Sequence, residues 1–166
     1  MSPKQQSILL GAGVAALLST SYLSLINCLC CLGVIIGGLA ATWHYTDSNQ
    51  LTIKPGDGAV MGLSAGALGA LVALVLNFVL IKMGIRHDLA MTNLMIDLMG
   101  DNLPREQYNE LMAQSEAPVR FGSYFFGFNQ LIGIVVSAVF GAIGGAIGAA
   151  IFKKGPAEDA IEPGLI

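Results

Sequence analysis

The residues of this chain best suited to chemistry are Cys28, Cys30 and Cys31, three thiols within four positions. Clustered thiolates select soft metals. A structural zinc site, however, takes four ligands with wider Cys spacing, and neither His44 nor His87 lies close in sequence. A complete ligand set would need a second subunit. An odd number of cysteines in one cluster is no disulfide framework either, so the pattern favours cysteine as a small apolar packing residue. Asn77 stands alone in a long apolar stretch, and Asn129 and Gln130 open another. Polar groups inside a membrane mark a substrate path or bond one helix to another, and the second use is expected here. His44 and His87 fall at helix ends and read as interfacial. Glu106 and Glu110 share one face of a polar helix, the ordinary pattern of a solvated surface. Lys54-Pro55-Gly56-Asp57-Gly58 is a turn that leads into a helix and lacks the phosphate-loop spacing. No nucleophile, base and orienting group come together. The expectation is a non-enzyme with no cofactor and no metal.

The elements that hold these residues are set by composition. Of 166 residues, 54% are hydrophobic and 11% charged, with a mean hydropathy of +0.69. A water-soluble domain carries about 25% charged residues, so the chain reads as one lipid-embedded domain. A net charge of -3 and the absence of a Lys/Arg-rich run argue against nucleic acid as a partner. The apolar run Ile8 to Leu18 has the length of a signal-peptide core. Asn27 before Cys28 makes a poor lipoprotein box, and retention of the segment is expected.

From Ser7 to Tyr45 there are 39 residues without Asp, Glu, Lys or Arg. One membrane span needs about 20 residues, so the stretch holds two passes or one pass plus a re-entrant piece, with helices at about 7–23 and 27–45 reversing near Ser19 to Asn27. Trp43, His44 and Tyr45 would anchor the second at the interface. Residues 46–57 read as a polar loop. A third span is expected at about 58–83 and a fourth at about 128–152, the latter preceded by an aromatic belt of Phe121, Tyr124, Phe125, Phe126 and Phe128. Between them lies the most charged part of the chain, with surface helices expected at about 88–100 and 104–116. The tail 155–166 is expected to be flexible. The fold class is therefore all-α, a bundle of about four transmembrane helices with an amphipathic surface segment between the third and fourth. The positive-inside rule gives a tie, with Lys4, Lys54, Lys153 and Lys154 on one side and Lys82, Arg86, Arg105 and Arg120 on the other. Because Lys153-Lys154 abuts a span, both termini are placed in the cytoplasm.

Glycine spacing supplies the packing logic. Gly58, Gly62 and Gly66 recur every fourth residue, as do Ser137, Gly141 and Gly145; Gly144 with Gly148, and Gly33 with Gly37, form further pairs. Lipid gives helices no hydrophobic reason to associate, so contact comes from close backbone approach along such small-residue stripes. Most should pack the protein's own bundle, and one could remain for a partner or a second copy.

The run Leu25-Ile26-Asn27-Cys28-Leu29-Cys30-Cys31-Leu32-Gly33, the Gly-Gly-Leu-Ala at 37–40 and the ending Phe140-Gly141-Ala142-Ile143-Gly144-Gly145 through Phe152-Lys153-Lys154 resemble a set of small glycine-rich bacterial multi-span proteins of unknown function. The resemblance implies a bacterial inner-membrane protein and brings no established activity. Taken together, the sequence points to a non-catalytic membrane subunit or scaffold, packing through glycine-lined helices into a larger assembly in the lipid bilayer with other subunits or copies of itself. The alternative is a small homo-oligomeric channel or carrier lined by glycine faces and Asn77.

Overall fold

The computed structural model describes residues 1–20, 31–85, 93, 96–97, 104–116 and 121–158. Within them lie six named helices: α1 (Pro3–Leu18), α2 (Leu32–Asn49), α3 (Pro55–Lys82), α4 (Arg105–Glu116), α5 (Phe121–Phe126) and α6 (Phe128–Ile151). Cys28, Cys30, His87 and nearly all of the surface helix expected at 88–100 lie outside the described residues.

The helix ends follow local chemistry. Ser2 and Gln5 form a reciprocal cap, the Ser2 hydroxyl accepting from the Gln5 amide at 3.3 Å and the Gln5 side chain accepting from the Ser2 amide at 3.1 Å. With Pro3 in the first turn, this starts α1 four residues before the expected Ser7. The expected boundary ignored the cap and followed hydropathy alone. In α2 the start falls at Leu32, after Cys31 in the left-handed region. Its end runs past the aromatic triplet to Asn49, whose side chain donates to the Tyr45 carbonyl at 2.8 Å. Pro55 opens α3, with Asp57 in the first turn facing the positive end of the helix dipole. Gly84, at φ 89°, closes it. The Gly84 amide donates to Ile81 and the Ile85 amide to Leu80, a Schellman closure that requires the left-handed conformation glycine adopts without strain.

Four helices, α1, α2, α3 and α6, make the bundle. Gly58 faces Gly145 and Ala149, Gly62 faces Gly141 and Gly145, and Gly66 faces Ser137, so α3 and α6 run antiparallel along their glycine stripes. In α1, Gly11 lies against Gly37 and Ala41 of α2, while Gly37 lies against Ala15. Gly69 of α3 meets Ala12 and Ala15 of α1. On α6 a second row continues the pattern, Gly144 against Ile35 and Gly148 against Thr42, with Gly38 of α2 against Gly141 and Gly145. Thus α2 and α3 lie side by side, with α1 nested on one flank and α6 on the other.

The distribution of side chains is inverted relative to a soluble protein. Gly62, Ala65, Gly66, Gly141, Gly145 and Ala149 are buried, while Val60, Leu71, Val75, Val79, Val135, Val139 and Ile151 are exposed. Water would penalise such a surface; hydrocarbon matches it. The helices α3 and α6, at 28 and 24 residues with mean hydropathies of 2.3 and 2.2, are long and apolar enough to cross a membrane. At 1.5 Å per residue they measure about 42 and 36 Å, against about 30 Å of bilayer core. α1 has 16 residues and α2 ends in a polar turn containing Asp47; neither meets the same measure alone.

Inside this interior the few polar groups are satisfied locally. Thr42 donates to Leu39 O at 2.9 Å and Thr46 to Thr42 O at 3.0 Å, both side chains being buried. Two glycines separate the packing role from the backbone role. Gly62→Ala places a methyl group against the backbone of Gly141 and Gly145, and should lower stability by about 1–3 kcal/mol, the usual cost of overpacking. Gly13, in α1, faces open space, so Gly13→Ala should raise it by about 0.5–1 kcal/mol through helix propensity. Unfolding in detergent measures both; equal effects would contradict the packing scheme.

Candidate functional site: two polar clusters at opposite ends of the bundle

The end that carries the N-terminus and residues 155–158 is closed by the segment between α2 and α3. Gln50, in the left-handed region, ends α2, and the chain then sends Leu51 and Ile53 inward to join Tyr45, Met61 and Ala149 in one apolar cluster. The polar loop expected over 46–57 is therefore only 50–54 long in the structure, and two of its side chains belong to the core. Its Thr52 pairs with the chain beyond α6. The Thr52 amide donates to Pro156 O at 2.8 Å, the Glu158 amide donates to Thr52 O at 2.9 Å, and the Thr52 hydroxyl donates to Gly155 O at 2.8 Å.

Glu158 gathers the rest of this end. Its Oε1 accepts from Lys4 Nζ at 3.1 Å and from the Tyr45 hydroxyl at 3.0 Å. Lys154 pairs with Asp47 at 3.2 Å. A small cleft of about 170 Å³ between Lys4, Thr52, Lys54, Asp57 and Glu158 completes the cluster. Two expectations are corrected here. Tyr45 is buried, its ring in the core and its hydroxyl on Glu158, while Trp43 is the exposed member of the triplet. The tail expected to be flexible from 155 is tied down through residue 158; residues 159–166 lie outside the described residues. His44, read as interfacial, has its Nδ1 2.8 Å from the hydroxyl of buried Ser7.

The opposite end holds the polar residues expected to lie within the membrane. Asn77, on α3, donates through Nδ2 to the carbonyl of Ser19 at 3.3 Å, reaching one of the carbonyls left over at the end of α1. Gln130 and Ser137 of α6 and Tyr124 of α5 face the same space, and together they line a cleft of about 290 Å³. Asn129, expected beside Gln130 as an intramembrane group, is exposed and does not line it. The helix break at Gly127 divides the expected aromatic belt. Tyr124 and Phe125 pack on Phe78 with ring centroids 5.4 and 5.2 Å apart, Lys82 lies over the Phe78 ring, and Phe126 and Phe128 are exposed.

The glycine stripes end up inside. Of the nine stripe glycines, Gly37, Gly58, Gly62, Gly66, Gly141, Gly144, Gly145 and Gly148 each face another helix of the same chain, and Gly33 is buried in α2. Among the described residues the bundle therefore presents neither a spare glycine stripe for a partner nor a pore lined by glycine faces. The reason is economy of contact: α6 uses two separate rows, one against α3 and one against α2, while Gly37 of α2 meets α1. Cys31, the described member of the thiol cluster, caps the start of α2 in the left-handed region. No group of three or more potential metal ligands occurs among the described residues.

A helical bundle with an interior of glycine and alanine and an exterior of valine, leucine and isoleucine is an integral membrane protein. The chain belongs to the family described as the MJ1491 transmembrane domain, which matches residues 6–155. Comparison with curated proteins and with solved structures gives no match.

The strap at the closed end carries its own test. Ending the chain after Lys154 removes the partners of Thr52. Hydrogen exchange at the Thr52 amide should then accelerate at least tenfold, as expected when a local hydrogen-bonded unit opens, while the amide of buried Leu74 keeps its rate. Unchanged exchange at Thr52 would contradict the strap.

Proposed function

We propose that the protein is a non-catalytic integral membrane subunit or scaffold that takes its place in a larger membrane assembly, with all four bundle helices in the bilayer and both termini in the cytoplasm. The observation that supports this reading is α4. It is a 12-residue helix, polar on balance, exposed at Arg105 to Glu110, and among the described residues its packing on the bundle helices is slight. A free-standing helix of that length is marginal in water. Such an element gains its order from a surface, and Tyr108, exposed on it, has the amphipathic character typical of interface anchors.

The contact with a partner then runs through α4 and the outer helix faces, since the small-residue stripes are occupied within the chain. A glycine-packed bundle is a suitable platform for this role.

Gentle extraction from the native membrane, followed by mass determination of the intact particle, tests the reading. A stoichiometric complex is expected, and a photo-crosslinking residue at position 108 should join the chain to a subunit of that complex. A monomer that cross-links only to lipid would contradict the proposal, and a homo-oligomer would favour the channel or carrier.

A further inference from the structure

The cleft between α1, α3, α5 and α6 has a composition that lipid packing does not account for. Between Gly58 and Ile81 the polar side chains of α3 are Ser64 and Asn77, and those of α6 are Asn129, Gln130 and Ser137. Ser64 is satisfied within its own helix, donating to Val60 O at 2.9 Å, and Asn129 is exposed. The other three converge on one cleft with Ser19 and Tyr124. The side chains of Gln130 and Ser137 have no hydrogen-bond partner among the described residues, although a polar group held away from water without one is costly. Among the described residues no Asp, Glu, Lys, Arg or His lines the cleft.

We propose that this cleft binds an uncharged, hydroxyl-bearing group, carried either by a free small solute or as the head of a neutral lipid. Carboxamides and hydroxyls each donate and accept, so Gln130 and Ser137 match a ligand whose own groups do the same. The described lining carries no formal charge that would offset the desolvation of an ion. At about 290 Å³ the cleft lies near the lower limit of small-molecule sites, about 300 Å³. Its wall at Gly133 is open: that residue is exposed, and a Cβ there would meet nothing within 4 Å. The exposed apolar face of α6 continues beside it at Ile132, Val136 and Val139, a surface along which an acyl chain would lie.

Gly133 also supplies the test. Gly133→Leu fills the cleft from its open wall without touching a helix contact, so the fold is kept while the site is lost. The full-length protein in lipid nanodiscs is offered radiolabelled glycerol from the buffer and, separately, a photoactivatable monoacylglycerol in the bilayer. Saturable binding of at least one probe is expected, at least tenfold weaker in Gly133→Leu at an unchanged melting temperature, with lipid label on peptides containing Asn77 or Gln130. Should Gly133→Leu fail to fold, Gln130→Leu takes its place with the same expected loss. Glycerol binding assigns a free solute, and binding of the monoacylglycerol alone assigns a lipid. Saturation by neither probe, or unaltered binding to the folded variant, would overturn the proposal.

Discussion

The approach of α3 to α6, backbone against backbone, is the constraint from which the rest of the bundle follows. At Gly62 and Gly145 the helices are so close that no Cβ fits between them. That closeness leaves room for dispersion contacts along the whole seam, the main attraction available to helices in lipid. It also sets the places of the other two helices. With α3 and α6 drawn together, α2 meets the second glycine row of α6, and α1 fills the opposite flank through Gly11, Ala12 and Ala15. Large side chains are thereby turned outward, and the inverted pattern of burial is a consequence of the seam.

Much of this is visible in the sequence, because four-residue spacing of glycine has a direct geometric meaning on a helix. The stripes Gly58-Gly62-Gly66 and Ser137-Gly141-Gly145 mark the two faces that meet. What spacing does not give is the choice of partner: a stripe on α2 has the same appearance whether it faces α1, α6 or another protein. Helix ends were less legible where hydropathy and capping disagree. Lys4, Gln5 and Gln6 are polar yet helical because Ser2 and Pro3 start the helix ahead of them.

The closed end was the least legible part. Leu51 and Ile53 sit among Gln50, Thr52 and Lys54 and have the local appearance of a loop, yet both are buried. Their role depends on Thr52 pairing with residues more than a hundred positions away, and no local pattern encodes such a contact. Tyr45 is similar. An aromatic residue next to Trp43 suggests an interfacial belt, but its hydroxyl reaches Glu158 instead. The polar cleft was half visible: Asn77 and Gln130 stand out as intramembrane amides, whereas their convergence with Ser19, Tyr124 and Ser137 is a product of the fold. A bundle closed by a strap at one end and opened by a polar cleft at the other has two chemically distinct ends.

Solid-state NMR of the protein in lipid bilayers, with glycine α-carbons labelled, tests the seam most directly. Helix packing at this closeness predicts strong cross-peaks between the α-carbons of Gly62 and Gly145 and between those of Gly66 and Gly141, at mixing times that report only near neighbours. Their absence, in a sample whose α3 and α6 remain helical, would contradict the glycine-to-glycine seam and with it the arrangement of the bundle.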